Sequence, residues 1–226
     1  MRDSRFLQAR SLAERLVSPL PSGCPGLFNP WADTCPDDLD GNGPEEKLDR
    51  LGAHLACDPL MILVGEAPGY QGCRHSGIAF TSERLLMENR IPRMAPLPGR
   101  LTHRERPFSE PSATIVWKAL VSLGIEDRTI LWNAVQLHPH PVGETQTNRT
   151  PTEDELLLGM PSLQMLEEAF PRAWIIAVGR KAEMLLSLAV IPTVATLRHP
   201  ANGGATLFTR GLHDLVSLRR SHHVDP

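Results

Sequence analysis

The amino-acid sequence predicts an α/β fold, a three-layer α/β/α sandwich with a central, mainly four-stranded parallel sheet. Four short aliphatic or β-branched segments, each ending in glycine, proline, asparagine or histidine, are typical of buried strands. Segments with helical periodicity lie between them, and the alternation of strands with helices indicates a parallel sheet covered on both faces. The predicted strands are residues 60–64, 129–132, 173–178 and 193–197.

Helices and loops complete this arrangement. A first helix over about residues 4–17 and a last one over about residues 205–220 flank the core. Surface loops are predicted where proline, glycine and polar residues cluster. The other predicted helices are 44–56, 113–123, 152–170 with an interruption at Pro161, and 180–188, and the predicted loops are 19–43, 91–111 and 138–150.

The length and composition favour a single globular domain over residues 1–226. A chain of 226 residues suits one large domain, and its 41% hydrophobic and 22% charged residues are ordinary globular usage. No apolar run approaches the roughly 18 residues that a membrane span requires, and the N-terminal segment lacks a signal-peptide pattern. We therefore expect a cytoplasmic protein without membrane association, and we expect it to be a monomer.

Cysteine, histidine and arginine usage bears on cofactors and partners. The four cysteines contain no Cys-x-x-Cys pair, so we interpret them as reduced structural thiols. His138 and His140, separated by a proline, do not share a helical face, and we expect no bound metal. The net charge of −3 gives no overall basic footprint, but six arginines between residues 84 and 106 form a local basic stretch suited to phosphate oxygens.

The residues that follow the predicted strands form the candidate site, since ligands of open parallel sheets bind beyond the carboxyl ends of the strands. The first strand runs into Gly65-Glu66-Ala67-Pro68-Gly69-Tyr70, a loop of small residues whose backbone N–H groups could approach a ligand. The second strand ends at Asn133, and the fourth runs into Arg198-His199-Pro200. The glycine loop matches neither the P-loop nor the dinucleotide-binding pattern, which disfavours a nucleotide-phosphate enzyme.

These segments together resemble the uracil-DNA glycosylase superfamily. Residues 65–69 resemble its first motif, and Arg198-His199-Pro200 resembles the start of its second motif. Residues 76–82 are similar to the segment that supplies a base-stacking aromatic residue, and residues 131–135 are similar to the strand that carries a base-reading asparagine. The likeness spans about residues 60–205, and the four motifs occur in the family order.

The resemblance implies a monofunctional base-excision repair enzyme that hydrolyses the N-glycosidic bond of uracil or a related deaminated base in DNA. The base would be flipped into a pocket, where Phe80 stacks on it and Asn133 pairs with its N3–H and O4. His199 would stabilise the charge on O2 of the departing base, with no metal or organic cofactor. The implied substrate-binding residues are Gly65, Ala67, Pro68, Tyr70, Phe80 and Asn133, the catalytic ones are Glu66 and His199, and the DNA-binding ones are Arg84, Arg100, Arg104, Arg106, Arg180 and Asn202.

Three departures from the family pattern bear on this interpretation. Ala67 occupies the position of the aspartate that orients water in the best-studied branch, so Glu66 is the first candidate for that role, followed by Glu83 and Ser76. Residues 201–204 replace the serine and the wedge leucine of the second motif. The cysteine spacing differs from that of the iron–sulfur branch, so we expect no cluster. Two alternatives stay open: a weak or inactive module that binds damaged DNA, and a small-molecule hydrolase on the same scaffold.

Overall fold

A computed structural model describes residues 4–221 of the chain. Its central sheet has four parallel strands in the order β3-β2-β5-β6, and a separate two-stranded ribbon pairs β1 with β4 in antiparallel fashion. The predicted four-stranded parallel sheet is therefore confirmed. The strands are β1 (Leu27–Phe28), β2 (Met61–Gly65), β3 (Thr129–Asn133), β4 (His138–Pro139), β5 (Trp174–Val178) and β6 (Ala195–Leu197).

Helices cover both faces of the sheet, as predicted. All five residues of the central strand β2 are buried, and the side chains of the first four alternate between two hydrophobic cores. Ile62 and Val64 join the core formed with α1, α2, α7 and α8, whereas Met61 and Leu63 join the core formed with α4, α5 and α9. The helices are α1 (Ser4–Val17), α2 (Pro44–Leu55), α3 (Cys73–Ser76), α4 (Glu83–Met87), α5 (Pro111–Leu123), α6 (Glu153–Leu158), α7 (Met160–Ala169), α8 (Arg180–Leu188) and α9 (Ala205–Ser221).

The structure differs from the sequence prediction mainly in its shortest elements. The loop predicted at 19–43 contains β1, which pairs with β4 through Leu27 opposite Pro139 and Phe28 opposite His138. Two short helices, α3 and α4, follow the first motif. The predicted helix over 152–170 is two helices, because the chain breaks at Gly159 just before Pro161.

Gly159 also sets how closely α7 approaches the sheet. A Cβ atom at this position would lie 1.9 Å from the backbone oxygen of Ala134. Only glycine permits this approach, which brings the helix against the chain that continues from β3.

None of the helices within residues 4–221 combines the length and the apolar character that crossing a bilayer requires.

Candidate active site

A cavity of about 470 Å³ lies beyond the carboxyl ends of the central strands. It is lined by residues from the four segments singled out in the sequence, which therefore meet around one space. A second cleft of about 890 Å³ adjoins it and shares four of its residues, Glu66, Lys181, His199 and Ala201. The predicted site residues in the first cavity are Glu66, Ala67, Pro68, Phe80, Asn133 and His199, and those in the second cleft include Arg180 and Asn202.

The aromatic wall of the cavity depends on Gly65, the last residue of β2. Gly65 is paired with Asn133 across the sheet, and a Cβ atom on it would lie 2.5 Å from Cζ of Phe80 and 2.9 Å from Oδ1 of Asn133. Phe80 is only 6% exposed and has a left-handed backbone with φ of 49°. A bulky residue adopts this conformation at a cost, so the surrounding packing must hold it there.

Asn133 presents its amide to the cavity from the end of β3. The residue is 6% exposed, and its backbone oxygen accepts a hydrogen bond of 2.7 Å from Nε2 of Gln136. Within residues 4–221, no protein group forms a hydrogen bond with its side-chain amide. One acceptor and two donors are thus available to a bound ligand.

His199 is held in one tautomer by its own loop. Its Nδ1 accepts a hydrogen bond of 3.2 Å from the backbone N–H of Ala201, so in the neutral ring the proton resides on Nε2. Burial lowers the pKa of His199 below its usual value, the charge of Glu66 raises it and the charge of Arg198 lowers it, with a net decrease. The ring is therefore a neutral hydrogen-bond donor at physiological pH.

Glu66 forms an ion pair with a residue that the sequence analysis did not select. Lys181 donates from Nζ to Oε1 of Glu66 at 2.8 Å and to Oγ1 of Thr150 at 2.7 Å. The side chains of Glu66 and Lys181 are 34% and 40% exposed. Lys181 lies three residues beyond the end of β5, and this position past a strand end was the sequence signal that could have indicated it.

Glu110 and Ser112 are two further cavity residues that sequence reasoning missed. The hydroxyl of Ser112 donates a hydrogen bond to Oε1 of Glu110. Burial raises the pKa of Glu110, and the Ser112 hydrogen bond offsets part of that increase. A Cβ atom on Gly72 would lie 1.8 Å from Oε2 of Glu110, so this carboxyl rests directly on the loop that follows β2. Pro111, which the sequence prediction placed at the end of a loop, is the first residue of α5; proline is favoured at this helix position and was the signal that could have marked the segment.

Glu83 and Ser76, the two other candidates for orienting water, do not line the cavity. Glu83 is fully buried; burial raises the pKa of its carboxyl, but hydrogen bonds from Arg100 and other donors lower it by more, so the net change is a decrease. The Ser76 hydroxyl is likewise buried and bonds the backbone of Ile78 and Thr81. Both groups therefore stabilise the fold by forming hydrogen bonds with neighbouring loops. The donors to the Glu83 carboxylate are Arg100 Nε, Leu101 N, Thr102 N, Thr102 Oγ1 and Phe108 N.

Tyr70 is partly exposed and does not line the cavity. Its ring packs edge-on against Phe108 at 6.2 Å between centroids, and its backbone N–H donates to Oδ1 of Asn148. The sequence analysis placed Tyr70 among the substrate-binding residues, and that role stays a prediction.

The predicted DNA-binding arginines fall into two groups. Arg84 is paired with Glu88, and Arg100 bonds Glu83 and the backbone oxygens of Arg104 and Glu105. The guanidinium group of Arg104 lies over the Phe108 ring at 4.3 Å, and Arg106 is exposed, but neither lines the cavity. Arg180 and Asn202 are exposed at the adjoining cleft.

One group of potential metal ligands occurs within residues 4–221. Cys35, Asp37 and His75 have ligand atoms within 4.8 Å of one another. Cationic side chains already occupy this region, since Nη2 of Arg74 lies 3.7 Å from Sγ of Cys35 and Lys47 pairs with the neighbouring Asp38. The positive charges of Arg74 and Lys47 and the hydrogen bond between Nδ1 of His75 and Asp38 disfavour a bound cation at this place.

The fold and the cavity define a class of α/β proteins in which an aromatic ring, an amide and a neutral histidine line one space at the carboxyl ends of parallel strands. The Uracil DNA glycosylase superfamily model matches residues 54–215, more than half of the chain. The chain therefore belongs to the uracil-DNA glycosylase superfamily, which supports a function as a glycosylase-type hydrolase that acts on DNA in repair.

A solved structure shows the same fold. SMUG2 from Pedobacter heparinus is similar with a TM-score of 0.63 and 12% sequence identity, and the match covers 98% of this chain and 99% of that one. A search of curated proteins found no match.

Proposed function

We propose that this protein is a monofunctional DNA glycosylase that hydrolyses the N-glycosidic bond of uracil or a related deaminated base in DNA. It releases the free base and leaves an abasic site. The observation that carries the proposal is that Phe80, Asn133, His199 and Glu66 all line one cavity. Action on genomic DNA agrees with the cytoplasmic location and the monomeric state expected from the sequence, both of which stay predictions.

Base recognition rests on Phe80 and Asn133. The ring of Phe80 provides a flat apolar wall for a base that has left the DNA stack. The free amide of Asn133 donates to a carbonyl such as O4 and accepts from N3–H of uracil. Cytosine presents the reverse pattern along this edge and leaves the buried amide with unpaired groups, which disfavours its binding.

Bond cleavage rests on His199. As the bond between C1′ and N1 breaks, negative charge collects on O2 of the base. The proton on Nε2 of neutral His199 is available to donate to that oxygen, because Nδ1 is engaged by the N–H of Ala201. A donor fixed before the reaction stabilises the charge without reorganisation, and such a donor contributes roughly 100-fold to 1,000-fold to the rate.

Water attack is assigned to Glu66, since Ala67 has no polar group. Oε1 of Glu66 is bound by Lys181, whereas Oε2 forms no hydrogen bond with protein groups in residues 4–221. Oε2 can accept a hydrogen bond from water and direct the water towards C1′. The carboxylate also lies close enough to the site to favour the positive charge that develops on the sugar.

The assignment as monofunctional is supported by the state of Lys181. An amine nucleophile needs a free electron pair to attack the abasic sugar. Nζ of Lys181 is instead held by hydrogen bonds to Oε1 of Glu66 and Oγ1 of Thr150, which engage it with the protein. Strand cleavage after base release is therefore expected only when heat or alkali is applied.

The DNA strand is proposed to run from the cavity along the adjoining cleft. Arg180, Arg198 and Asn202 line that cleft beside the N-terminus of α8. Guanidinium groups and the partial positive charge of a helix N-terminus both favour phosphate. The arginines of the 84–106 stretch are a second proposed contact with the DNA backbone.

The test is single-turnover release of free base from a uracil-containing oligonucleotide, with undamaged and hypoxanthine-containing oligonucleotides as comparisons. Glu66→Gln is expected to lower the rate by about 100-fold or more, and Glu168→Gln, an exposed change in α7 that lies outside both the cavity and the adjoining cleft, serves as the matched control. Tight binding of damaged DNA without base release would identify an inactive binding module. Absence of both binding and release would contradict the proposal and leave a small-molecule hydrolase.

A further inference from the structure

Lys181 joins three separate segments at the mouth of the cavity. It is the second residue of α8, and its two hydrogen bonds reach Glu66 in the loop after β2 and Thr150 in the loop before α6. All three residues line the cavity, and Lys181 and Glu66 also line the adjoining cleft. The ion pair thus borders both the cavity and the adjoining cleft.

We propose that Lys181 is a positioning residue of this site, which holds the Glu66 carboxylate at the cavity wall so that its free oxygen faces the attacking water. The inference rests on the proposed role of Glu66. Lys181 itself need not touch the substrate.

Because the ion pair between Lys181 and Glu66 is partly exposed, its main contribution is not to the stability of the fold. Partly exposed ion pairs contribute little to folding, because water screens them and two long side chains must be ordered. Glu66 is 34% exposed and has three rotatable side-chain bonds, so without a partner it would sample several rotamers. Lys181 fixes one of them, and Thr150 in turn fixes Lys181.

The hydrogen-bond pattern also separates positioning from phosphate binding. Nζ of Lys181 is already used by two protein acceptors at 2.8 Å and 2.7 Å. Its neighbour Arg180 lies in the second cleft, is exposed, and does not line the first cavity. A phosphate contact is therefore expected of Arg180, and orientation of Glu66 is expected of Lys181.

A double-mutant cycle tests the inference. Lys181→Met, Lys181→Arg, Glu66→Gln and the Lys181→Met/Glu66→Gln pair are compared in single-turnover base release at saturating enzyme. We expect Lys181→Met to lower the rate by about tenfold and Lys181→Arg to recover most of it. In the Glu66→Gln background the same methionine change should alter the rate by less than about twofold, because there is no carboxylate left to position.

A control variant and the wild-type enzyme make the outcomes distinct. Lys118→Met removes an exposed lysine of α5 outside the cavity and should leave the rate and the melting temperature unchanged. A loss of the same size in both backgrounds would overturn the inference, and so would an unchanged rate with a weaker salt dependence of binding, which would indicate a phosphate contact. An active wild-type enzyme with an unaffected Lys181→Met variant refutes only the inference, whereas an inactive wild-type enzyme refutes the proposed function and the inference with it.

Discussion

Replacing Gly65 by alanine adds one methyl group at the point where the aromatic wall and the base-reading amide meet. The new Cβ atom would lie 2.5 Å and 2.7 Å from two ring carbons of Phe80 and 2.9 Å from Oδ1 of Asn133. Carbon atoms make favourable contact at about 3.5–4.0 Å, so the neighbours must shift by roughly 1 Å. The end of β2 is buried and paired on one side with β3, so we expect the two side chains to yield.

The expected magnitude follows from that shift. Overpacking of a buried site costs about 1–3 kcal/mol of unfolding free energy, and a displacement of 1 Å at a reacting group can lower a rate by about 100-fold. Gly65→Ala should therefore remain folded, unfold at lower urea concentration, and release uracil at least about tenfold more slowly.

The assay combines urea unfolding with single-turnover base release. Gly99→Ala is the matched control, because a Cβ atom there has no neighbour within 4 Å and the backbone is not left-handed. A Gly65→Ala variant with wild-type stability and wild-type rate would refute the packing argument. A variant that loses stability but keeps its rate would show that Phe80 and Asn133 do not have the roles assigned to them.

His199→Ala should lower the rate of base release by roughly 100-fold to 1,000-fold with little change in DNA affinity, and a rate within a few-fold of wild type would refute the role. Because burial lowers the pKa of His199, the wild-type rate should hold as the pH falls past the free imidazole value of about 6.5. Protonation of Nδ1 at lower pH would break its hydrogen bond from the N–H of Ala201 and release the ring, so a decline already at or above pH of about 6.5 that is absent from His199→Ala would contradict the lowered pKa. Asn133→Asp should relax the preference towards cytosine, since a carboxyl group can pair with its amine, and normal uracil release by Asn133→Ala would contradict base reading. Replacing Arg100, Arg104 and Arg106 together should reduce the slope of log affinity against log salt by about 0.9 for each phosphate that is no longer neutralised, and an unchanged slope would favour the arginines of the second cleft.

The main helices and strands could be predicted because their periodicity is local. The prediction of a helix over residues 180–188 is confirmed as α8, and the predicted strand ends lie within a few residues of the observed ones. The β1–β4 ribbon was not predicted from the sequence, because two-residue strands have no periodicity and the two strands are more than 100 residues apart in sequence.

The candidate site was predictable only where a motif stood at a strand end. Glu66, Asn133 and His199 lie at or just beyond the ends of β2, β3 and β6, so the sheet topology alone brings them together. Lys181 and Glu110 reach the cavity from helix N-termini, and which way they face depends on how α8 and α5 pack. The arginine stretch could not be interpreted from charge alone, because intramolecular partners of these residues appear only in three dimensions.

Through the β1–β4 ribbon, residues outside the segment matched by the superfamily model contribute to one wall of the cavity. Residues 54–215 carry that match, yet the loop that supplies Asn148, Arg149 and Thr150 to the cavity begins at β4, whose only strand partner in residues 4–221 is β1. Arg149 and the backbone of His140 both bond the oxygen of Gly26. Truncation before residue 54 would thus leave every motif in place but would remove both the strand partner of β4 and the Gly26 oxygen, so one wall of the cavity would lose part of its support.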